Sequence, residues 1–436
     1  YYKFKFAVFM KKIIFFLFIS TIAFSQTKSI KKTPPIYEAK PSSAGMSTER
    51  LMRIDVMLKN AIAKKEIPGA VALISRNGKI VYHKAFGIAN RETNKAMQRD
   101  AIFRIASQTK AITSTAVMML WEKGLFQLDD PISKYIPEFK DAQILDTFNE
   151  KDSSYTTKPA KNQITIRHLI THTSGIGYGF IDSDSRFRKI YQKAGIIDAF
   201  TTKPITIKEN IKKLAILPLH FNPGEKYSYS EGLDVLGYFI EILSGKPLDV
   251  FFTEHIFKPL GMDDTWFYIP KTKSHRLVGI QTKKDKQWKQ YTSDLYEIDF
   301  PIKGAKTFFS GGGGLSSTAK DYATFLQMYL NNGELNGIRL LSRTTIQFMM
   351  ANHIGRLWGD TGSFHGLAFM VTDQKGQDKG GDGSKGSFAW GGYFNTVYFA
   401  DPKEKTIGIL MKQTIDIGAD TTGWRFRQLV GQAIDD

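Results

Sequence analysis

Ser107 and Lys110 stand three residues apart in Phe103-Arg104-Ile105-Ala106-Ser107-Gln108-Thr109-Lys110, directly ahead of a helical run over residues 111–123 that stops at Gly124. Side chains three apart on an α-helix share a face, so the amine can reach the hydroxyl and take its proton. A serine at a helix entrance also has free backbone N–H groups beside it, which favour a developing oxyanion. The chemistry such a pair supports is acyl transfer through a serine nucleophile. Ile112, Ala116, Met119 and Leu120 form an apolar stripe, which predicts a buried helix and draws Lys110 out of water.

Ser-x-x-Lys also occurs at Ser25/Lys28, Ser29/Lys32 and Ser317/Lys320, and a serine ahead of a helix is equally an ordinary N-cap. Context must decide. A third group stands at Tyr229, in Tyr227-Ser228-Tyr229-Ser230-Glu231-Gly232, before a helical run over 233–243 closed by Gly245. A tyrosine there can simply pack; beside a serine and a lysine, a phenol can relay a proton to the leaving group.

Other chemistry-bearing patterns read as structure. Asp129-Asp130-Pro131 offers adjacent carboxylates, yet neighbours point apart and the motif caps turns. His168 and His172 lie four apart, but no third ligand stands at a supporting spacing, so no metal is expected. Gly311 to Gly314 lacks the lysine of a phosphate-binding loop and reads as a tight turn.

The elements that must position these residues are these. Ser47 caps a helix carrying Leu51, Ile54, Leu58 and Ile62, which Pro68-Gly69 ends. Residues 70–75 and 79–86 read as strands of a hairpin through Asn77-Gly78. Residues 140–163 read as a polar loop and 178–203 as a flap over the site. A helix runs to 330, strands follow at 366–372, 387–400 and 406–412, and a terminal helix spans 423–434. The expected fold is α/β of the α+β type, an antiparallel sheet flanked by helices with a large, mostly helical insertion. Its segments are 26–45 as linker, 46–106 with 304–436 as an α/β lobe, and 107–303 as a helical lobe.

The chain has 436 residues, 42% of them hydrophobic, enough for a large core. Its formal charge of +18 comes without an arginine-rich helix, a zinc pattern or an RNA-binding signature, so a basic solvated surface is expected rather than a nucleic-acid partner. There is no cysteine, which excludes thiol nucleophiles, disulfides and a cysteine-linked lipid. Met10-Lys11-Lys12 and the apolar run over 13–24 resemble a secretory leader starting at Met10 and cut between Ser25 and Gln26. The expected product is exported, periplasmic or secreted, and no later stretch is long and apolar enough for a membrane span.

Taken together and in order, these residues resemble the serine β-lactamase-like hydrolases, above all class C β-lactamases and family VIII carboxylesterases. The similarity runs from about Ile67-Pro68-Gly69 onward. It rests on Phe103 to Lys110, Leu128-Asp129-Asp130-Pro131, Arg167-His168-Leu169-Ile170-Thr171-His172-Thr173-Ser174-Gly175, Phe221-Asn222-Pro223-Gly224, Tyr229-Ser230, Leu236-Gly237, Gly313-Gly314-Leu315, and Trp390-Gly391-Gly392 ahead of Asp401-Pro402. The resemblance implies Ser107, Lys110 and Tyr229 as catalytic residues, the backbone of Ser107 and Tyr393 as oxyanion hole, and Trp390, Gly391, Gly392 and Glu231 at the substrate, with no cofactor and no metal. Two departures matter. Glu231 replaces an asparagine of class C enzymes, and Trp390-Gly391-Gly392 replaces Lys-Thr-Gly, whose lysine holds a β-lactam carboxylate. Lys385 is a second candidate for that cation. Esterase-like members share both departures. The expected activity is hydrolysis of a small ester; the alternatives are a β-lactamase or D-amino-acid peptidase acting on amides, and a catalytically idle envelope-binding module.

Overall fold

Asn77 and Gly78 both adopt positive φ, at 54° and 75°, which is the backbone a two-residue hairpin requires to match the twist of its strands. The computed structural model, which describes residues 27–436, builds its main sheet outward from this hairpin. The proposed leader and its cleavage position between Ser25 and Gln26 lie outside the described residues.

The strands of that sheet are β1 (Tyr37–Glu38), β2 (Gly69–Arg76), β3 (Lys79–Asn90), β4 (Lys95–Ala96), β5 (Ser363–His365), β6 (Met370–Thr372), β7 (Phe388–Gly392), β8 (Thr396–Asp401) and β9 (Thr406–Met411). Their order is β5-β6-β7-β8-β9-β2-β3-β1, with β4 on β3. All neighbours are antiparallel except β1 with β3. The seam between early and late chain is β2 against β9, with Ala72 opposite Leu410.

β2 is buried at every position, and its alternation assigns the two faces. Ala70, Ala72 and Ile74 face α1 (Thr48–Ala63) and the C-terminal helix Thr422–Gly431, against Ile54, Leu58, Phe426 and Val430. Val71 and Leu73 face the larger core, which holds α2 (Thr109–Glu122) and the helix Ala319–Leu330. The Ser47 hydroxyl caps α1 by accepting from Arg50 N at 3.3 Å, as its residue type predicts.

Three expectations change. The run 387–400 is two strands, because Asn395 takes a left-handed φ of 68° and turns the chain between β7 and β8. Residues 140–163 are not a loop: Gln143–Phe148 and Tyr155–Pro159 form a two-stranded hairpin. The flap region contains a helix, Ser185–Ala194, capped by Asp184 and ended by Gly195. Among the described residues, no helix is long and apolar enough to cross a membrane.

Candidate active site

The approach to Ser107 is pinned from both sides. Phe103–Arg104 pairs with Ser316–Ser317, and Ile105 N donates to Leu315 O at 3.0 Å. The buried Arg104 guanidinium donates to the carbonyls of Ile298 and Val278 at 2.7 and 2.8 Å. Ala106 then takes φ of 42°, a left-handed conformation that costs a residue with a Cβ about 1 kcal/mol or more. The turn projects Ser107, half-buried among fully buried neighbours. Ser107 therefore lies not in the first α-helical turn but in a 3₁₀ turn, Ala106–Gln108, that feeds α2. The helix is also buried nearly all round rather than along one stripe.

Lys110 is 5% exposed. Its ammonium donates to the Gly312 carbonyl at 2.8 Å and to the Tyr178 hydroxyl at 3.1 Å. It also sits 4.6 Å from the centroid of the Tyr229 ring and 5.4 Å from that of Tyr178. Among the described residues, no carboxylate lies within ion-pair distance of it. The two phenol rings stack on each other, centroids 5.6 Å apart. The Tyr229 hydroxyl is buried and has no hydrogen-bond partner among the described residues.

Gly312 is held to this job by Asp234, whose buried carboxylate accepts from the Ser310 hydroxyl at 2.6 Å and from Gly312 N at 3.2 Å. Burial raises the affinity of Asp234 for a proton, while the Ser310 hydroxyl and the Lys110 charge act the other way. The four-glycine turn is thus neither a phosphate cradle nor a passive bend: it aims a carbonyl at the lysine. A Cβ on Gly312 would lie 2.1 Å from the Asp234 carboxylate, so only glycine fits.

The opposite wall is β7. The Trp390 ring lies 6.0 Å from Tyr229 and 5.5 Å from His365, with Trp358 beyond it at 6.2 Å. Gly391 and Gly392 follow on the same strand. A Cβ on Gly392 would lie 2.4 Å from the Ile105 carbonyl, so the strand end approaches the chain leading to Ser107 as closely as a bare backbone permits. Tyr393 extends from that end into an aromatic cluster, its ring 5.6 Å from Phe180 and 5.9 Å from Tyr296. Lys385 lies exposed in the loop ahead of the other end of β7, so Trp390 has no cation in its place.

Glu231, expected at the substrate, is fully buried and does not face an open site. The two histidines are structural. His168 Nδ1 accepts from Thr165 N in a capping box at 3.2 Å. His172 Nδ1 accepts from Ser230 N at 3.2 Å, and its ring backs Tyr229 at 4.7 Å. Burial holds His172 well below the usual imidazole range, so it stays neutral. Asp129 pairs with Arg167 at 2.6 Å, and Asp130 accepts from Gln127 N at 3.0 Å. Among the described residues there is no cluster of histidines and carboxylates that could hold a metal.

A basin of about 900 Å³ opens beside the flap, lined among others by Phe180, Arg188, Asp198, Lys203 and Tyr296. Neither Ser107 nor Lys110 lines it, while the stacked rings of Phe180 and Tyr296, 4.8 Å apart, do. Sequence reasoning missed the roles of Tyr178, Asp198 and Asp234. For Asp234 there was a signal, an acid in the first turn of the helix after Tyr229; for the other two, only folding brings Tyr178 to Lys110 and Asp198 to the loop that carries Tyr178.

A helix-flanked, mostly antiparallel sheet with a serine, a buried lysine and a tyrosine beside β7 defines the class: a serine hydrolase with a β-lactamase and penicillin-binding-protein type of fold. The chain belongs to the Beta-lactamase family, whose model matches residues 54–432. It is 31% identical to Protein Rv1367c of Mycobacterium tuberculosis over 81% of this chain and 88% of that one. It is 36% identical to Esterase EstB of Burkholderia gladioli over 49% of this chain and 51% of that one. Among solved structures it is similar to EstCE1, described as a hydrolase with promiscuous acyltransferase activity, with a TM-score of 0.75, 25% identity, and coverage of 88% and 98%.

Proposed function

We propose that the protein hydrolyses small carboxylic esters through an acyl-enzyme on Ser107. The observation that carries this reading is the placement of Lys110, buried and among the described residues without a carboxylate partner, between the Tyr178 hydroxyl and the Tyr229 ring, three residues from Ser107.

Ser107 Oγ attacks the ester carbonyl and forms a C–O bond. The Lys110–Tyr229 pair reacts in the form that lacks one proton, takes the Ser107 proton and passes it to the alkoxide oxygen as the C–O bond to the alcohol breaks. The backbone N–H groups of Ser107 and Tyr393 take the oxyanion, a contribution of about 3 to 4 kcal/mol per donor in comparable sites. Water then attacks the Ser107 ester, the pair accepts its proton, and the acid leaves as Ser107 regains its own. Trp390 favours esters over β-lactams, because an indole supplies no charge for a lactam carboxylate. Its neighbours Tyr229, His365 and Trp358 give an aromatic lining suited to an apolar acyl or alcohol group.

The test is intact mass after brief exposure to a fluorophosphonate and to a slow p-nitrophenyl ester. One adduct is expected on Ser107 and none in Ser107→Ala, whose ester hydrolysis falls by at least about a thousandfold. Turnover of a chromogenic cephalosporin faster than of simple esters would replace the reading with a β-lactamase or peptidase. Absence of any adduct on folded protein would leave an idle binding module.

A further inference from the structure

The loop 177–180, which carries Tyr178, is held almost wholly by groups outside itself. Gly177 N donates to the Tyr191 hydroxyl at 3.0 Å, Tyr178 N to Asp182 Oδ2 at 2.7 Å, and Phe180 N to Asp198 Oδ2 at 2.6 Å. The Gly177 carbonyl accepts from Glu231 N at 3.1 Å. Behind this loop the buried carboxyl groups of Glu231 and Asp198 are neighbours, each acting on the other's affinity for a proton. Two carboxylates cannot bond, since both only accept. As anions they would leave Glu231 Oε1 and Oε2 and Asp198 Oδ1 buried with no donor, a cost that a folded protein avoids. A single proton pairs one Glu231 oxygen with Asp198 Oδ1 and leaves the other as the carbonyl of a neutral acid, a far smaller cost than two buried anions.

We infer that Glu231 and Asp198 share one proton across a buried carboxyl–carboxylate hydrogen bond, and that this bond sets Tyr178 against Lys110 by tying the loop 177–180 to the foot of the helix Gly232–Ser244. The inference rests on the reading of Lys110 as the group that handles the Ser107 proton. Glu231 is the donor: Asp198 already accepts from Phe180 N and is better suited to keep its charge. Burial, then the neighbouring Asp198, raise the affinity of Glu231 for the proton, and Asp234 adds to this. Lys110 opposes it from α2. Asp182, Tyr178 and Tyr191 are the other ionisable groups facing the pair. Glu231 and Asp198 are positioning residues; neither needs to touch a substrate.

The experiment compares wild type with Glu231→Gln, Glu231→Leu and Asp198→Asn. Glutamine keeps a donor toward Asp198, whereas leucine keeps the bulk without one. The infrared difference between wild type and Glu231→Gln at neutral pH should show the carbonyl stretch of one protonated carboxyl; its absence overturns the inference. On ester substrate, Glu231→Gln should be at least about tenfold more active than Glu231→Leu, the loss appearing in kcat and in the rate of Ser107 labelling. Equal activities for folded Gln and Leu variants overturn the positioning role. If Glu231→Leu does not fold, Asp198→Asn supplies the comparison: it reverses donor and acceptor, leaves Phe180 N an amide oxygen, and should lose less than tenfold. A larger loss, with the loop's protease sensitivity unchanged, also overturns it. Failure of wild type to label on Ser107 would sink the hydrolase reading while the infrared band still reports on the pair.

Discussion

Lys110 donates to the carbonyl of Gly312 at 2.8 Å, a residue whose own N–H is in turn held by the carboxylate of Asp234 at 3.2 Å. The lysine is therefore aimed by the backbone of a distant glycine turn and not by an ion pair, which leaves its remaining hydrogens for the phenols. Each contact suggests a measurable consequence.

Tyr229 and Tyr178 should separate by role. Tyr229→Phe removes the orphaned hydroxyl and should lower kcat for ester hydrolysis by about a hundredfold or more, as expected for loss of a general acid/base. Tyr178→Phe removes a hydrogen bond to Lys110 and should cost about tenfold. Steady-state kinetics on both variants decide the assignment, and a reversed order would exchange the two roles.

Gly312→Ala should disable the enzyme without touching a reacting group. The new methyl meets Asp234 at 2.1 Å, so the turn must move and the Lys110 contact with it. A loss of at least about tenfold in kcat is expected, with a destabilisation of roughly 1 to 3 kcal/mol by denaturant titration. Wild-type activity in this variant would show that the carbonyl does not aim the lysine.

Trp390→Lys should shift selectivity toward lactams. A cation at this position on β7 can hold a carboxylate, whereas the indole cannot. The ratio of penicillin acylation to ester hydrolysis should rise by about tenfold or more, read by labelling rate against p-nitrophenyl acetate turnover. An unchanged ratio would mean that Trp390 does not border the bound substrate.

Asp321 should make stability depend on pH. Burial pushes its carboxyl up to about 6, against the opposing hydrogen bonds from Asp264 N and Thr265. Because the folded value lies above the unfolded one, near 4, the folded state binds the proton more tightly. Stability is fullest below pH 4 for this group and falls as pH rises from about 4 to about 6. Asp321→Asn should therefore gain about 2 to 3 kcal/mol over wild type between pH 4 and pH 7, by chemical denaturation at each pH. A constant difference would remove Asp321 as the cause.

The amino-acid order announced what local chemistry can announce. Asn77-Gly78 dictates its hairpin because two positive φ angles need those residues. Ser47 dictates a cap, and Ser107 with Lys110 offers a spacing that needs no tertiary help. The departure at Trp390 was legible because it changes charge. Long-range decisions were not. Residues 387–400 looked like one apolar run, since a strand and its hairpin partner have the same pattern when both are buried. Residues 140–163 looked like loop because their hairpin is mostly exposed and polar. Above all, the sequence determined which side chains could do chemistry, because identity and near-neighbour spacing are properties of the chain. Only the tertiary structure decided which of them meet. Tyr178 and Gly312 reach Lys110, Asp234 reaches Gly312, and Glu231 neighbours Asp198, because sheet and helices pack residues far apart in sequence against the same buried turn, where an unpaired polar group is too costly to leave alone.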